Sequence, residues 1–153
     1  MSVLLTIEGV LKNEVGDPIP EGIKLFRALA DDYRIILSSE DSPKFTDHWL
    51  KSHAIIGYGE VYDDTKFFEG QNIRSRHIAL AKASGPVELY IDADADFCAE
   101  ALSMGIPALM FASPRFVRTT RNVKPWEDLV NEVERQKIAL VEAELGSKLK
   151  RFE

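Results

Sequence analysis

The chain is poor in several features that would narrow its function at once. It has one cysteine, Cys98, among 153 residues, which excludes an internal disulfide framework and any zinc site built from several thiolates. No apolar run approaches the roughly 18–20 residues needed to cross a bilayer. The N-terminus lacks the basic segment and long apolar stretch of a signal peptide, so a cytoplasmic protein is expected. Positive charge is not in excess either. With 19 Lys and Arg against 25 Asp and Glu, the formal charge is -6, a balance that disfavours nucleic acid and anionic membranes as partners. One local basic group, Arg115, Arg118, Arg121 and Lys124, keeps an anion site open. The three histidines, His48, His53 and His77, have no metal-ligand spacing, and surface or partly buried structural roles are expected for them. There is no internal repeat, low-complexity stretch or linker.

What remains is an ordinary globular composition, 45% hydrophobic and 29% charged, long enough for one core. Strand-like and helix-like segments alternate. Residues 2–7 (SVLLTI) form a short apolar run expected as a buried strand, and Gly16-Asp17-Pro18 marks a turn after it. Pro20 suits the first turn of a helix whose Ile23, Phe26, Leu29 and Ala30 share one face. Residues 33–37 predict a second strand, 43–52 a helix and 54–56 a third strand. Further helices are predicted over 72–83 and 97–104, the latter closed by Gly105, with strands at 86–91 and 106–111. From Pro125 a long helix is expected, with an apolar face of Trp126, Leu129, Val130, Val133, Leu140 and Val141 interrupted at Lys137. Its last turns, reaching Leu149, outrun a small domain and offer a surface for self-association or a protein partner; a solvated tail is the plainer alternative.

Such alternation predicts an α/β fold, a three-layer Rossmann-like parallel sheet with no substantial cap domain and a long C-terminal helix. The division expected is 1–124 for the α/β domain and 125–153 for the helix packed on or extending from it. Ligands in these sheets bind beyond the carboxyl ends of the strands. Three of those ends are polar: Thr6 to Glu8, Ser38-Ser39, and Asp92-Ala-Asp94-Ala-Asp96.

In this order the three ends resemble the signature of the haloacid dehalogenase (HAD)-like superfamily of phosphatases and phosphotransferases, over roughly residues 2–111. The sequence Thr6-Ile7-Glu8-Gly9-Val10 is similar to the family's D-x-D-G-[VT] motif, in which the first Asp attacks phosphorus and the second protonates the leaving group. Ser38 resembles the strand-end hydroxyl that binds the phosphoryl group. Asp92 and Asp96 resemble the acidic pair that holds magnesium, and the stretch through Gly105-Ile106-Pro107 resembles the turn that follows. The resemblance also implies a basic residue for the phosphate; Arg74, Arg76 and Lys66 all lie in the expected region without a distinctive context, and Arg74 is taken as the candidate. The overall pattern is similar to small members carried by bacteriophages.

The departures decide the functional expectation. Thr6 stands at the nucleophile position, and a threonine hydroxyl is un-ionised at neutral pH without an adjacent base. It is also a poorer magnesium ligand than a carboxylate, so any bound Mg2+ is expected to be weak. Glu8 keeps a carboxyl at the acid/base position on a longer side chain, where a shift of about 1 Å can lower rates ~10²-fold. The expectation is therefore a degenerate, capless HAD-like protein, non-catalytic and acting in binding or assembly. The alternative is a magnesium-dependent hydrolase in which Glu8 or Asp92 activates water. Plainer readings stand beside each residue: Thr6 as a strand residue, Ser38 or Asp94 or Asp96 as caps, Cys98 as a small core residue. The stretch 61–70, with Phe67 and Phe68, is expected as a surface loop or a lip over the site.

Overall fold

A computed structural model describes residues 1–66, 70–113 and 125–150, the last segment with its side chains over 127–147. The basic group at 115–124, Phe67 and Phe68, and the side chains of Trp126 and Leu149 lie outside the described residues. Strands and helices alternate as β1 (Ser2–Thr6), α1 (Pro20–Ala30), β2 (Arg34–Ser38), α2 (Pro43–Ser52), β3 (Glu60–Tyr62), α3 (Ile73–Ser84), β4 (Val87–Asp92), α4 (Ala95–Ser103), β5 (Ala108–Met110) and α5 (Pro125–Lys150). All five strands are parallel, in the order β3-β2-β1-β4-β5. The order reverses after β3, when the chain crosses to the other side of β1, so the crevice of this doubly wound sheet opens between β1 and β4.

The strands are apolar on both faces because both are covered. Along β1 the side chains alternate: Val3 and Leu5 join Ile23 and Phe26 of α1 and Leu50 of α2, whereas Leu4 joins Ile78 of α3 and Phe97 and Ala101 of α4. Two cores on opposite faces make the predicted three layers. Each fully buried Leu or Phe contributes about 1.5–3 kcal/mol relative to exposure. Gly22 is required by close approach: a Cβ there would lie 1.6 Å from the Val10 carbonyl oxygen. The first helix can therefore press directly against the turn that follows β1.

Apart from shifts of one or two residues at other strand and helix ends, two elements differ from expectation. Residues 54–56 form no strand. After α2, Ala54 takes a left-handed φ of 54° and Ile55 drops into the core, while the edge strand forms later, with Glu60 opposite Ile36 of β2. The helix expected from 97 begins at Ala95, because the Asp94 side chain accepts the Asp96 N–H at 2.9 Å and caps it.

The long helix forms over 26 residues, about 39 Å at 1.5 Å per residue. It packs on α4, with Leu129 against the second core and Gln136 donating from Nε2 to the Leu102 carbonyl at 2.8 Å. Beyond Gln136, every described side chain from 137 to 147 is exposed. No described helix is long and apolar enough to cross a membrane.

Candidate functional site

Parallel register sets the site. Thr6 is opposite Ser38 of β2, and Leu5 is opposite Ile91, so the ends of β1, β2 and β4 bring Thr6, Ser38 and Asp92 side by side. All three are buried, as Arg74 is. Arg74 enters from the first turn of α3, where Asn72 accepts its backbone N–H at 3.0 Å and fixes the helix start. Of the three basic residues in that region, Arg74 alone is buried, 1% exposed, while Lys66 lies exposed.

Asp92 is held from four directions. Its Oδ1 accepts from Arg74 Nη1 at 2.7 Å, from the Asp94 N–H at 3.1 Å and from the Thr6 hydroxyl at 3.3 Å, while its Oδ2 accepts from the Tyr90 hydroxyl. The Thr6 hydroxyl donates to this carboxylate, with the Ile91 carbonyl at 3.4 Å as a second acceptor. Burial pushes the Asp92 carboxyl up, and the Arg74 charge opposes that shift. Burial also opposes the Arg74 charge, but Asp92, Tyr90, Glu40 and Glu8 together outweigh it and push its ionisation still higher. Burial, then the nearby Asp92 charge, keep Tyr90 a neutral phenol and hence a donor. The Arg74 guanidinium further donates from Nη2 to the Glu8 carbonyl at 3.1 Å. Its Nε sits 2.8 Å from Glu40 Oε1 as a charge contact, at an angle that makes no hydrogen bond.

A magnesium ion would compete with protein donors for the ligands these residues offer. The ion demands near-ideal octahedral oxygen ligation. Both Asp92 oxygens are engaged by protein donors, Thr6 brings no charge, and Asp94 Oδ1 is the α4 cap. Asp96 lies in the first turn of α4 and lines a groove between α4 and α5 with Glu100, Asp128 and Glu132. Arg74 instead supplies the positive charge at the strand ends.

Ser38 is likewise committed. Its Oγ is 2.7 Å from His77 Nδ1, and His77 Nε2 is 2.8 Å from the Asp63 carbonyl. A carbonyl can only accept, so Nε2 carries the proton, Nδ1 accepts, and the Ser38 hydroxyl spends its single proton on His77. It cannot then donate to a phosphoryl oxygen. Burial lowers the His77 ionisation and keeps the ring neutral in this role. His77 is fully buried, which corrects the surface or partly buried placement expected for it. His48 is exposed and His53 half-buried, as expected.

Glu8 follows β1 through the turn at Gly9, whose φ of 99° is open to glycine. Its Oε1 accepts from Ser39 Oγ at 3.1 Å and the Glu40 N–H at 3.2 Å, with Lys12 Nζ at 3.9 Å. Its Oε2 is buried without a hydrogen-bond partner, and burial pushes the carboxyl up. Lys12 itself pairs with Asp41 at 2.7 Å. Cys98 is buried in the second core, its thiol pushed far up by burial.

Sequence reasoning passed over His77, Tyr90 and Glu40. Two of them had a periodic signal: His77 is three residues from Arg74 on the buried face of α3, and Tyr90 precedes Asp92 by two on one face of β4. No family model and no curated protein matches the chain.

Proposed function

We propose that this chain is a HAD-like protein whose phosphotransfer site has become a structural ion-pair centre, so that the fold serves binding or assembly and not catalysis. Four sequence segments support the family reading: the strand ends at Thr6, Ser38 and Asp92, and the buried Arg74 on the helix before the last of them. The sheet order, with β1 central, and the short connections without a cap agree with it. The observation that carries the non-catalytic reading is the Arg74–Asp92 contact at 2.7 Å, together with the three other donors on the Asp92 carboxylate. In a site of this kind a metal and an incoming phosphoryl group would compete with these donors for Asp92 Oδ1 and with His77 for the Ser38 proton. Calorimetric titration with magnesium, alone and with inorganic phosphate, tests this. No binding is expected at millimolar ligand; saturable binding lost in Asp92→Asn would contradict it.

Glu8 favours one alternative. A carboxyl pushed up by burial, with a free buried oxygen, has the character of a general acid. In a hydrolase of altered mechanism, Glu8 would supply or take that proton and Glu8→Gln would abolish turnover.

For assembly, α5 is the surface indicated, because its exposed stretch 137–147 includes Ile138, Leu140, Val141 and Leu145. An isolated helical end of this length is marginal in water, and a partner would stabilise it.

A further inference from the structure

Residues 130, 133, 137, 140 and 144 follow the 3-4-3-4 spacing of a coiled-coil seam. Val130, Val133 and Leu140 are 58%, 49% and 71% exposed, and Lys137 and Glu144 are exposed with them. Val141 and Leu145 flank this stripe. The described residues that hold α5 to α4, Leu129 and Gln136, lie off it to one side, and the described part of the domain leaves the seam exposed.

The charges on the stripe fix what can cover it. Lys137 and Glu144 are seven residues apart, within about 20° of each other around the helix, with Leu140 between them. In a parallel pair of two copies, Lys137 would meet Lys137 and Glu144 would meet Glu144 across an apolar seam. In an antiparallel pair crossing near Leu140, each Lys137 comes within about one turn, ~5.4 Å along the axis, of Glu144 in the other copy. Two opposite-charge pairs then flank a Leu140–Val141 centre.

We infer that α5 is a self-association surface on which a second copy of this chain packs antiparallel, with its register set by reciprocal Lys137–Glu144 pairs. This rests on the reading of the protein as an assembly module and specifies its partner. The seam from Val130 to Glu144 runs only about 21 Å. It buries well under the ~1,600 Å² of a standard interface, so the pair forms at high protein concentration and dissociates on dilution.

Sedimentation velocity on the full-length chain tests this with wild type, Lys137→Glu, Glu144→Lys and the double swap. These positions are exposed, so far-UV circular dichroism and thermal unfolding of all four should match at a dilution where each is monomeric. The expected result is a concentration-dependent dimer in wild type, weakened roughly tenfold or more in each single variant by like-charge contacts, and restored in the double swap. A wild type that stays monomeric at high concentration overturns the inference and leaves only binding to a different protein partner for the proposed function. A dimer indifferent to the single changes, or not rescued by the swap, overturns the antiparallel pairing and leaves assembly standing. A dimer that survives truncation after Lys137 overturns the role of α5.

Discussion

Replacing Arg74 by Met keeps the length of the side chain and removes its charge, which tests whether the strand-end carboxylates depend on a built-in cation. Arg74 is 1% exposed and Asp92 fully buried, so the change leaves a carboxylate in the interior with only neutral donors: Thr6, Tyr90 and the Asp94 N–H. Removing one member of a buried pair costs about 3–5 kcal/mol, a large part of the ~5–15 kcal/mol that stabilises a domain. Asp92→Asn should cost less, roughly 1.5–3 kcal/mol, the range for hydrogen bonds to charged groups. Arg74 keeps Glu40 and the Glu8 carbonyl in that variant. The double variant should be more stable than the sum of the singles predicts by about 1–3 kcal/mol, since each single strands the partner of the other. Urea unfolding followed by circular dichroism, with chelator and with magnesium, measures all three. If Asp92→Asn instead stabilises the metal-free protein, or magnesium stabilises wild type strongly, the carboxylates are awaiting a cation and the reasoning fails.

Other changes follow from the same geometry. Glu8 is raised above its ordinary 4.5, so the folded state holds its proton more tightly, and the stability this gives is present below pH about 4.5 and lost as pH rises through the raised value. Glu8→Gln should therefore raise the Tm in neutral buffer, with the difference vanishing near pH 4; an unchanged or lower Tm at neutral pH would count against the buried, half-satisfied carboxyl. His77 is lowered from 6.5, so its contribution is present above that pH and lost as pH falls through the depressed value. The unfolding midpoint of wild type should drop more steeply than that of His77→Gln as pH falls below 6.5. Gly22→Ala should destabilise by about 1–3 kcal/mol or more through overpacking against the Val10 carbonyl, read from the same urea transitions.

The α/β alternation was legible because β1 and β2 hold short apolar runs and α1 carries an apolar stripe of Ile23, Phe26 and Leu29. The edge strand Glu60–Tyr62 was not, since three residues pairing only with β2 leave no period to read. Ile55 carried the apolar signal instead, but it is a core residue after a left-handed turn. At the site, Thr6, Ser38 and Asp92 could be placed from strand ends alone, because parallel register must align them. What could not be read was what each one touches. The Ser38–His77 contact spans 39 residues and the Arg74–Asp92 contact 18, and neither leaves a local pattern. The start of α4 was misplaced for a local reason: the run Asp92 to Asp96 offers several caps, and backbone geometry selects Asp94.

On the proposed function, the strand-end residues are committed to each other and turn nothing over. The direct test is hydrolysis of an aryl phosphate with magnesium at high protein concentration, comparing wild type with Thr6→Asp and Asp92→Asn. Wild type is expected to be indistinguishable from Asp92→Asn. Magnesium-dependent turnover in wild type that Asp92→Asn abolishes would contradict the account and make the chain an enzyme with an altered nucleophile.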